Sequence, residues 1–330
     1  VKPLIALLKE RDADVEHVMW ILSALKSSHA LELLIKLLRD RSAIVRARAV
    51  YTLGRLRDAK AVEPLIAALN DKSATVRRMV VLALKEISDE RALKPLQQLL
   101  RTEKVASVRA AIQEAIPELL RGTGIVAYWN FEDVRGGIVK DITGGGNDGT
   151  LNGGKQVKGK IGFAIEFNGK SDYVDFNRPR AIKIANKPLT IMAWVYPKGK
   201  DGVIVAYGGA WCGFSLYVKD GVAKFGIHRR REGPGYIVAS DKSIIGTWTH
   251  LAGVVKEDCI ELYVNGELAS RKRIPGLIPS NPGQGLQVGF DAGNSPAEIT
   301  DYFEGIIDEV KIFTRALSPK EIVAQSKATL

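Results

Sequence analysis

The segment Glu257-Asp258-Cys259-Ile260-Glu261 comes nearest to a catalytic constellation in this 330-residue sequence. Alternate residues of a strand share a face, so three acids at every second position would present a nucleophile, a helper and an acid/base to one glycosidic bond. Glu257 and Glu261 do share a face, but Cys259 occupies the middle position and Asp258 points the other way. The glycine-rich run Asp141–Thr150 is no phosphate loop, because no Lys-Ser/Thr follows it and it leads into strands rather than a helix. The histidines, His17, His29, His228 and His250, accompany no nucleophile signature. Acid/base, nucleophilic and nucleotide chemistry each fail on a named residue, and the expectation is a protein that is not an enzyme.

Binding is what the residues support. Sugar sites pair aromatic faces with polar groups that fix hydroxyls and carboxylates. Trp211 lies in the loop-like run Gly208–Gly213, with Tyr207 beside it and the run His228-Arg229-Arg230-Arg231 and Tyr236 following in strand order. Alternation puts Lys224, His228 and Arg230 on one face, opposite Phe225 and Ile227. Tyr207, Trp211, His228, Arg230 and Tyr236 are therefore the candidate ligand residues, and a basic, aromatic patch suits an anionic polysaccharide. A solvated arginine run beside a locally buried tryptophan is the competing reading.

Net charge is +11, and it divides unevenly. Residues 1–122 hold 22 Lys+Arg against 15 Asp+Glu; residues 123–330 hold 26 against 22. Acidic partners are favoured for the first part, through Arg48, Arg55 and Arg78 as candidate partner-binding residues. Nucleic acid is not expected, because that part interleaves its arginines with only Trp20 and Tyr51. No apolar run approaches the length that spans a bilayer. Cys212 and Cys259 leave open a single bridge or two isolated buried thiols.

The elements that carry these residues fall into two blocks. Segments Ala30–Lys60, Ala61–Arg91 and Ala92–Leu120 align at a period of about 31, with one inserted residue near Lys104. Leu34, Leu65 and Leu96 share a column, as do Leu38, Leu69 and Leu100, and Val45, Val76 and Val108 each precede an arginine. A weaker copy precedes them, with Glu16 in place of that arginine. Each unit has the apolar spacing of two helices, Val62, Leu65, Ile66 and Leu69 marking one face of the first. A hairpin of that kind buries its stripe only by stacking, which predicts a solenoid of about four units over residues 1–121. Arg46, Arg77 and Arg109 are expected to tie neighbouring units through a ladder of acids. After Gly122, glycines and alternating strands dominate, and Asn265-Gly266 marks a tight hairpin, so residues 122–330 are expected to form an antiparallel β-sandwich.

The first block resembles HEAT-like repeats of the phycobilisome-lyase type, on its Val-Arg dipeptides and on Asp40 and Asp71. The second resembles laminin-G-like domains of the concanavalin A-like lectin/glucanase superfamily. The motifs that carry this resemblance are Gly124–Phe131, Asp141–Leu151, Phe167-Asn168-Gly169 with Asp172-Tyr173-Val174, Thr190–Val195, Gly246–Leu251, Leu262–Gly266 and Gly305–Val310, all in order. The resemblance implies two antiparallel sheets face to face with first and last strands adjacent, the jelly-roll arrangement. It implies a structural calcium ion at Asp308 and the carbonyls near Asn168 and Gly169, with Glu132 and Asp141 as further ligands. It also implies carbohydrate or protein partners and an extracellular, cell-surface or periplasmic setting.

Overall fold

The computed structural model describes residues 28–208, 212–229, 235–291 and 302–327. The chain divides into two compact units, with the boundary between Arg121 and Gly122.

The helical unit contains α1 (Ser28–Leu37), α2 (Ala43–Leu56), α3 (Val62–Ala68), α4 (Ala74–Ile87), α5 (Leu93–Thr102) and α6 (Ala106–Leu120). The second helices of successive repeats, α2, α4 and α6, stack on one another. Gly54 lets two of them approach closely: a Cβ there would lie 2.8 Å from the Ala83 Cα. Leu34, Leu65 and Leu96, the first repeat column, are wholly buried.

The expected arginine ladder forms at Arg46 and Arg77, whose acids come from the following repeat, while Arg109 donates to carbonyls of its own repeat. Arg46 on α2 donates from Nε and Nη2 to both carboxylate oxygens of Asp71, at 2.6 and 2.8 Å. Its Nη1 donates to the Asp40 carbonyl at 2.9 Å. Arg77 on α4 repeats the fork on Glu103 at 2.7 and 2.9 Å and donates to the Asp71 carbonyl at 2.8 Å. Arg109 donates to the carbonyls of Leu100 and Glu103. Each acid also accepts a backbone N–H two residues ahead, Ser73 for Asp71 and Val105 for Glu103, opening the next helix.

The second unit is a two-sheet sandwich. Its strands are β1 (Ile125–Trp129), β2 (Val134–Arg135), β3 (Ile138–Val139), β4 (Gly149–Asn152), β5 (Lys155–Lys158), β6 (Phe163–Asn168), β7 (Tyr173–Asp175), β8 (Leu189–Pro197) and β9 (Gly202–Gly208). There follow β10 (Gly213–Lys219), β11 (Val222–His228), β12 (Tyr236–Ser243), β13 (Thr249–Val255), β14 (Cys259–Val264), β15 (Glu267–Arg273), β16 (Leu286–Val288) and β17 (Glu304–Phe313), then helix α7 (Pro319–Ser326). One sheet runs β15-β14-β13-β8-β17-β6-β5, with β1 on β17; the other runs β12-β11-β10-β9-β16-β7-β4-β3-β2. First and last strands are antiparallel neighbours.

Register determines what each face shows. Across the nine-stranded sheet, Leu151, Val174, Val288, Val205, Leu216, Phe225 and Val238 lie side by side and point into the shared core. One residue along in each strand runs the opposite row: Thr150, Asp175, Gln287, Ala206, Ser215, Gly226 and Ile237. That row faces away from the core, as a period of two requires. The outer face of the eight-stranded sheet is closed differently. Leu317 and Ile322, at the start of and within α7, pack with Met192, Ala252, Val254, Tyr263 and Phe313. Ser318 and Glu321 form a reciprocal capping box at the helix start. Cys212 and Cys259 are both free and buried.

Candidate functional site

The outer face of the nine-stranded sheet carries a row of polar side chains beside a small apolar cluster. Gln287 Nε2 donates to Asp175 Oδ1 at 3.3 Å, tying two neighbours of the row. Ser215 is wholly buried and its hydroxyl has no hydrogen-bond partner. Val203, Ala206 and Tyr217 pack as a small cluster on this face, with Ile237 against it. Tyr217 stands opposite Lys224, and Gly213 opposite His228. His228 is half-buried, its Nδ1 lacks a partner, and burial pulls the imidazole below its ordinary pKa.

The structure sorts the sequence candidates. Tyr207 is a correction: it sits on the inward row, is 3% exposed, stacks edge-on against Phe214 and donates to the Ile182 carbonyl, so it belongs to the core. Its inward direction follows only from the strand register, where it pairs with the core residues Phe214 and Leu286. His228 is half-buried on the outer face, whereas Tyr236 is a second correction: paired with the inward Ile227, it packs against the core. Trp211 and Arg230 lie outside the described residues. Residues the sequence reading passed over are Asp175, Gln287 and Ser215; only the pairing of four strands, β7, β16, β9 and β10, brings them into line.

The carboxylates near β17 do not converge as the resemblance implied. Asn168 and its neighbour Gly169 stand opposite Glu304, four residues along β17 from Asp308 and thus about 13 Å away. Asn168 Oδ1 is already taken up by the N–H groups of Lys170, Ser171 and Asp172. The Asp141 carboxylate accepts from the N–H groups of Tyr128, Thr143 and Asn147, from the Thr143 hydroxyl and from Asn147 Nδ2. Asn147 in turn receives the Trp129 indole N–H on its carbonyl, so the glycine-rich loop is a staple onto β1. Among the described residues no group of three or more His, Cys, Asp or Glu is arranged to hold a metal.

Asp308 itself is unusual. A bulge in the β17–β8 pairing follows it, with Glu309 at φ 53°. Its Oδ2 accepts the Ile161 N–H at 2.9 Å, in a turn where only Gly159 fits, since a Cβ there would lie 2.6 Å from that oxygen. Oδ1 has no hydrogen-bond partner. Burial, then the charges of Glu309 and Glu132, push the Asp308 carboxyl well above the usual carboxylate range. Glu132 Oε1 accepts the N–H of Phe163, at the far side of the same turn. An orphaned buried carboxylate oxygen with a second acid nearby fits a proton or a hard cation.

The segment around Cys259 is structural. Glu261, fully buried, accepts from Lys256, Arg271 and the Tyr263 hydroxyl. Burial alone would raise its pKa, but those three donors outweigh it and hold the carboxyl below its usual range. Its acceptor positions are committed to these neighbours.

A profile of HEAT repeats matches residues 31–117, and a profile described as the concanavalin A-like lectin/glucanases superfamily matches residues 168–323. Among solved structures, the binding domain of Paraclostridial Mosquitocidal Protein 1 is similar at 20% identity and a TM-score of 0.50. That match covers 62% of this chain and 52% of the other, so the chain spans about half of that binding domain's length. Domain 4 of AbnA, a GH43 extracellular arabinanase from Geobacillus stearothermophilus in complex with arabinotriose, is similar at 21% identity and a TM-score of 0.50, covering 62% of this chain and 98% of that one. At such identities the likeness concerns the fold. No curated protein matches the sequence.

Proposed function

We propose that this chain, which joins HEAT repeats to a domain of the concanavalin A-like lectin/glucanases superfamily, is a non-catalytic glycan-binding protein whose sugar site is the outer face of the nine-stranded sheet. The observation that carries the reading is the contrast between the two outer faces. One is sealed by α7 and its apolar cluster; the other carries Thr150, Asp175 and His228 at least partly open to solvent. The printed names of the two similar structures, a toxin binding domain and a sugar-complexed domain of an arabinanase, agree with a binding role. A structural calcium ion would be held by Asp308 and Glu132, supplying the positive charge that the buried carboxylate lacks. An extracellular or cell-surface setting follows from the same family resemblance; no described helix is long and apolar enough to cross a membrane.

A glycan array probed with the full chain, with and without EDTA, is expected to give hits in calcium. Signals at background in both conditions would sink the reading. Loss of hits in EDTA that calcium restores, and that Asp308→Asn abolishes, is the expected signature of the ion.

A second reading places partner binding on the helical unit. Ile44, Arg48, Tyr51 and Arg55 recur at the spacing of one face of α2, and Ile44 and Tyr51 are 63% and 43% exposed. Arg78 on α4 is exposed too. An acidic, partly apolar protein segment is the chemistry such a stripe suits. Charge reversal at Arg48, Arg55 and Arg78 together is expected to abolish capture of an acidic partner, and unchanged capture excludes this face.

A further inference from the structure

Three aromatic rings from distant parts of the chain meet beside the polar row. Phe290, just past β16, and Tyr302, just before β17, are stacked with centroids 4.1 Å apart and planes 9° from parallel. Tyr173 on β7 stands 5.6 Å from Phe290 and 6.3 Å from Tyr302, tilted by 57° to each. The large rings of the core (Trp129, Phe131, Phe167, Phe214, Phe225 and Phe303) are at most 1% exposed. The three rings of this cluster all stay partly open to solvent.

Register shows which way they look. Tyr173 precedes the inward Val174 and lies two residues from Asp175, so it projects from the same outer face as the row Thr150, Asp175, Gln287. Its cross-strand neighbour is Asn152. Asp172, half-buried next to it in sequence, receives the N–H of Asn168 on Oδ2. The polar groups at these register positions are carboxylates, amides and a hydroxyl; His228 on β11 lies four strands from Tyr173 on β7, about 19 Å across the sheet.

We propose that Tyr173, Phe290 and Tyr302 form a stacking shelf for a neutral saccharide ring, giving the sheet-face site a neutral-sugar end distinct from its histidine end; this rests on the reading of that face as the glycan site. An aromatic face is electron-rich and apolar, which matches the polarised C–H face of a pyranose or furanose ring. Asp172, Asp175, Asn152 and Gln287 match sugar hydroxyls, which donate to carboxylates and exchange both donor and acceptor with amides. The same two carboxylates repel a uronate or sulfate. The chemistry of this end therefore selects an uncharged sugar, where the basic residues of β11 alone would suggest an anionic one.

The test is affinity electrophoresis of the full chain through gels containing arabinoxylan, galactan or a mixed-linkage glucan, and in parallel polygalacturonate or heparin. Retardation by a neutral polymer is expected, falling about tenfold or more in Tyr302→Ala and Tyr173→Ala and persisting in Tyr302→Phe, as loss of one ring-sized contact implies. Neutral-polymer retardation that both alanine variants leave unchanged overturns the shelf but keeps the sheet-face reading. Retardation by the anionic polymers alone does the same. No retardation by any polymer overturns both. If an alanine variant does not fold, the tyrosine ring proton resonances of the wild-type chain are followed while xylohexaose is titrated in, for a chain that neutral polymers retard; they shift if the shelf is correct, and unmoved tyrosine signals overturn it.

Discussion

Arg77→Ala is expected to destabilise the helical unit by about 3–5 kcal/mol, because it leaves the Glu103 carboxylate buried without its partner. The two oxygens of Glu103 receive both forks of the guanidinium. Glu103 is 7% exposed, so little water replaces a lost donor. The Arg77 guanidinium, working against burial, holds the Glu103 carboxyl down at about 2. The sign follows: this contribution is fully present above the unfolded carboxylate value of 4.5 and is lost as pH falls toward 2. Far-ultraviolet circular dichroism of urea unfolding reports mainly on the helices and measures the effect. Arg77→Lys should recover only part of the loss, since an ammonium cannot make the planar fork. Replacing Arg77 and Glu103 together with Met and Leu should cost far less than Arg77→Ala alone, because no uncompensated charge remains. A loss under about 1 kcal/mol in Arg77→Ala would mean that water reaches the pair and that the ladder is a surface feature.

His250 is expected to make the sandwich acid-labile. The ring is 2% exposed and packs edge-on against Trp194 at 5.3 Å. Burial, helped by the charge of Lys311, depresses the imidazole to about 3 from its ordinary 6.5. The unfolded chain therefore takes up a proton that the folded chain refuses. Stability is complete above pH 6.5 and falls as pH drops toward 3, by about 1.4 kcal/mol per pH unit, so about 2 kcal/mol between pH 7 and pH 5. Asp308 acts in the opposite sense in that window, because its raised carboxyl is stabilised as pH falls. The measurement is therefore made in an Asp308→Asn background, following tryptophan fluorescence against urea. His250→Gln in that background should flatten the profile between pH 7 and pH 5, even if it lowers stability at pH 7. A profile as steep as that of the histidine form would assign the acid lability to other groups. Glu103 and Glu321, held near 2 by Arg77 and Arg315, lose their contributions only below about pH 4.5.

Repetition and alternation in the chain encode its helical repeats and its central strands. A period of about 31 with leucine and Val-Arg columns implies stacked helical hairpins, since such stripes bury only against copies of themselves. Apolar alternation picked out the central strands, from Leu189–Pro197 to Glu304–Phe313, because burial on the core face leaves that mark. It also put Lys224 and His228 opposite Phe225 and Ile227, as the register confirms. It did not reveal β15, Glu-Leu-Ala-Ser-Arg-Lys-Arg, whose charges guard a sheet edge rather than follow a pattern of two. Nor did it reveal the two- to four-residue strands β2 to β5, too short to show any period. Of the site, only Thr150 and Asn152 lie on one of these, β4. Asp175 and Gln287 are 112 positions apart, and Tyr173 is 117 from Phe290 and 129 from Tyr302. Only antiparallel pairing of β16 with β7 puts them on one face. In the other sheet, the pairing of β17 with β6 separates Asn168 from Asp308 by four residues along β17. Local periodicity decides which side of a strand faces the core. Which distant side chains then share the other side is decided by strand order and register, and those come from the packing of the whole sandwich.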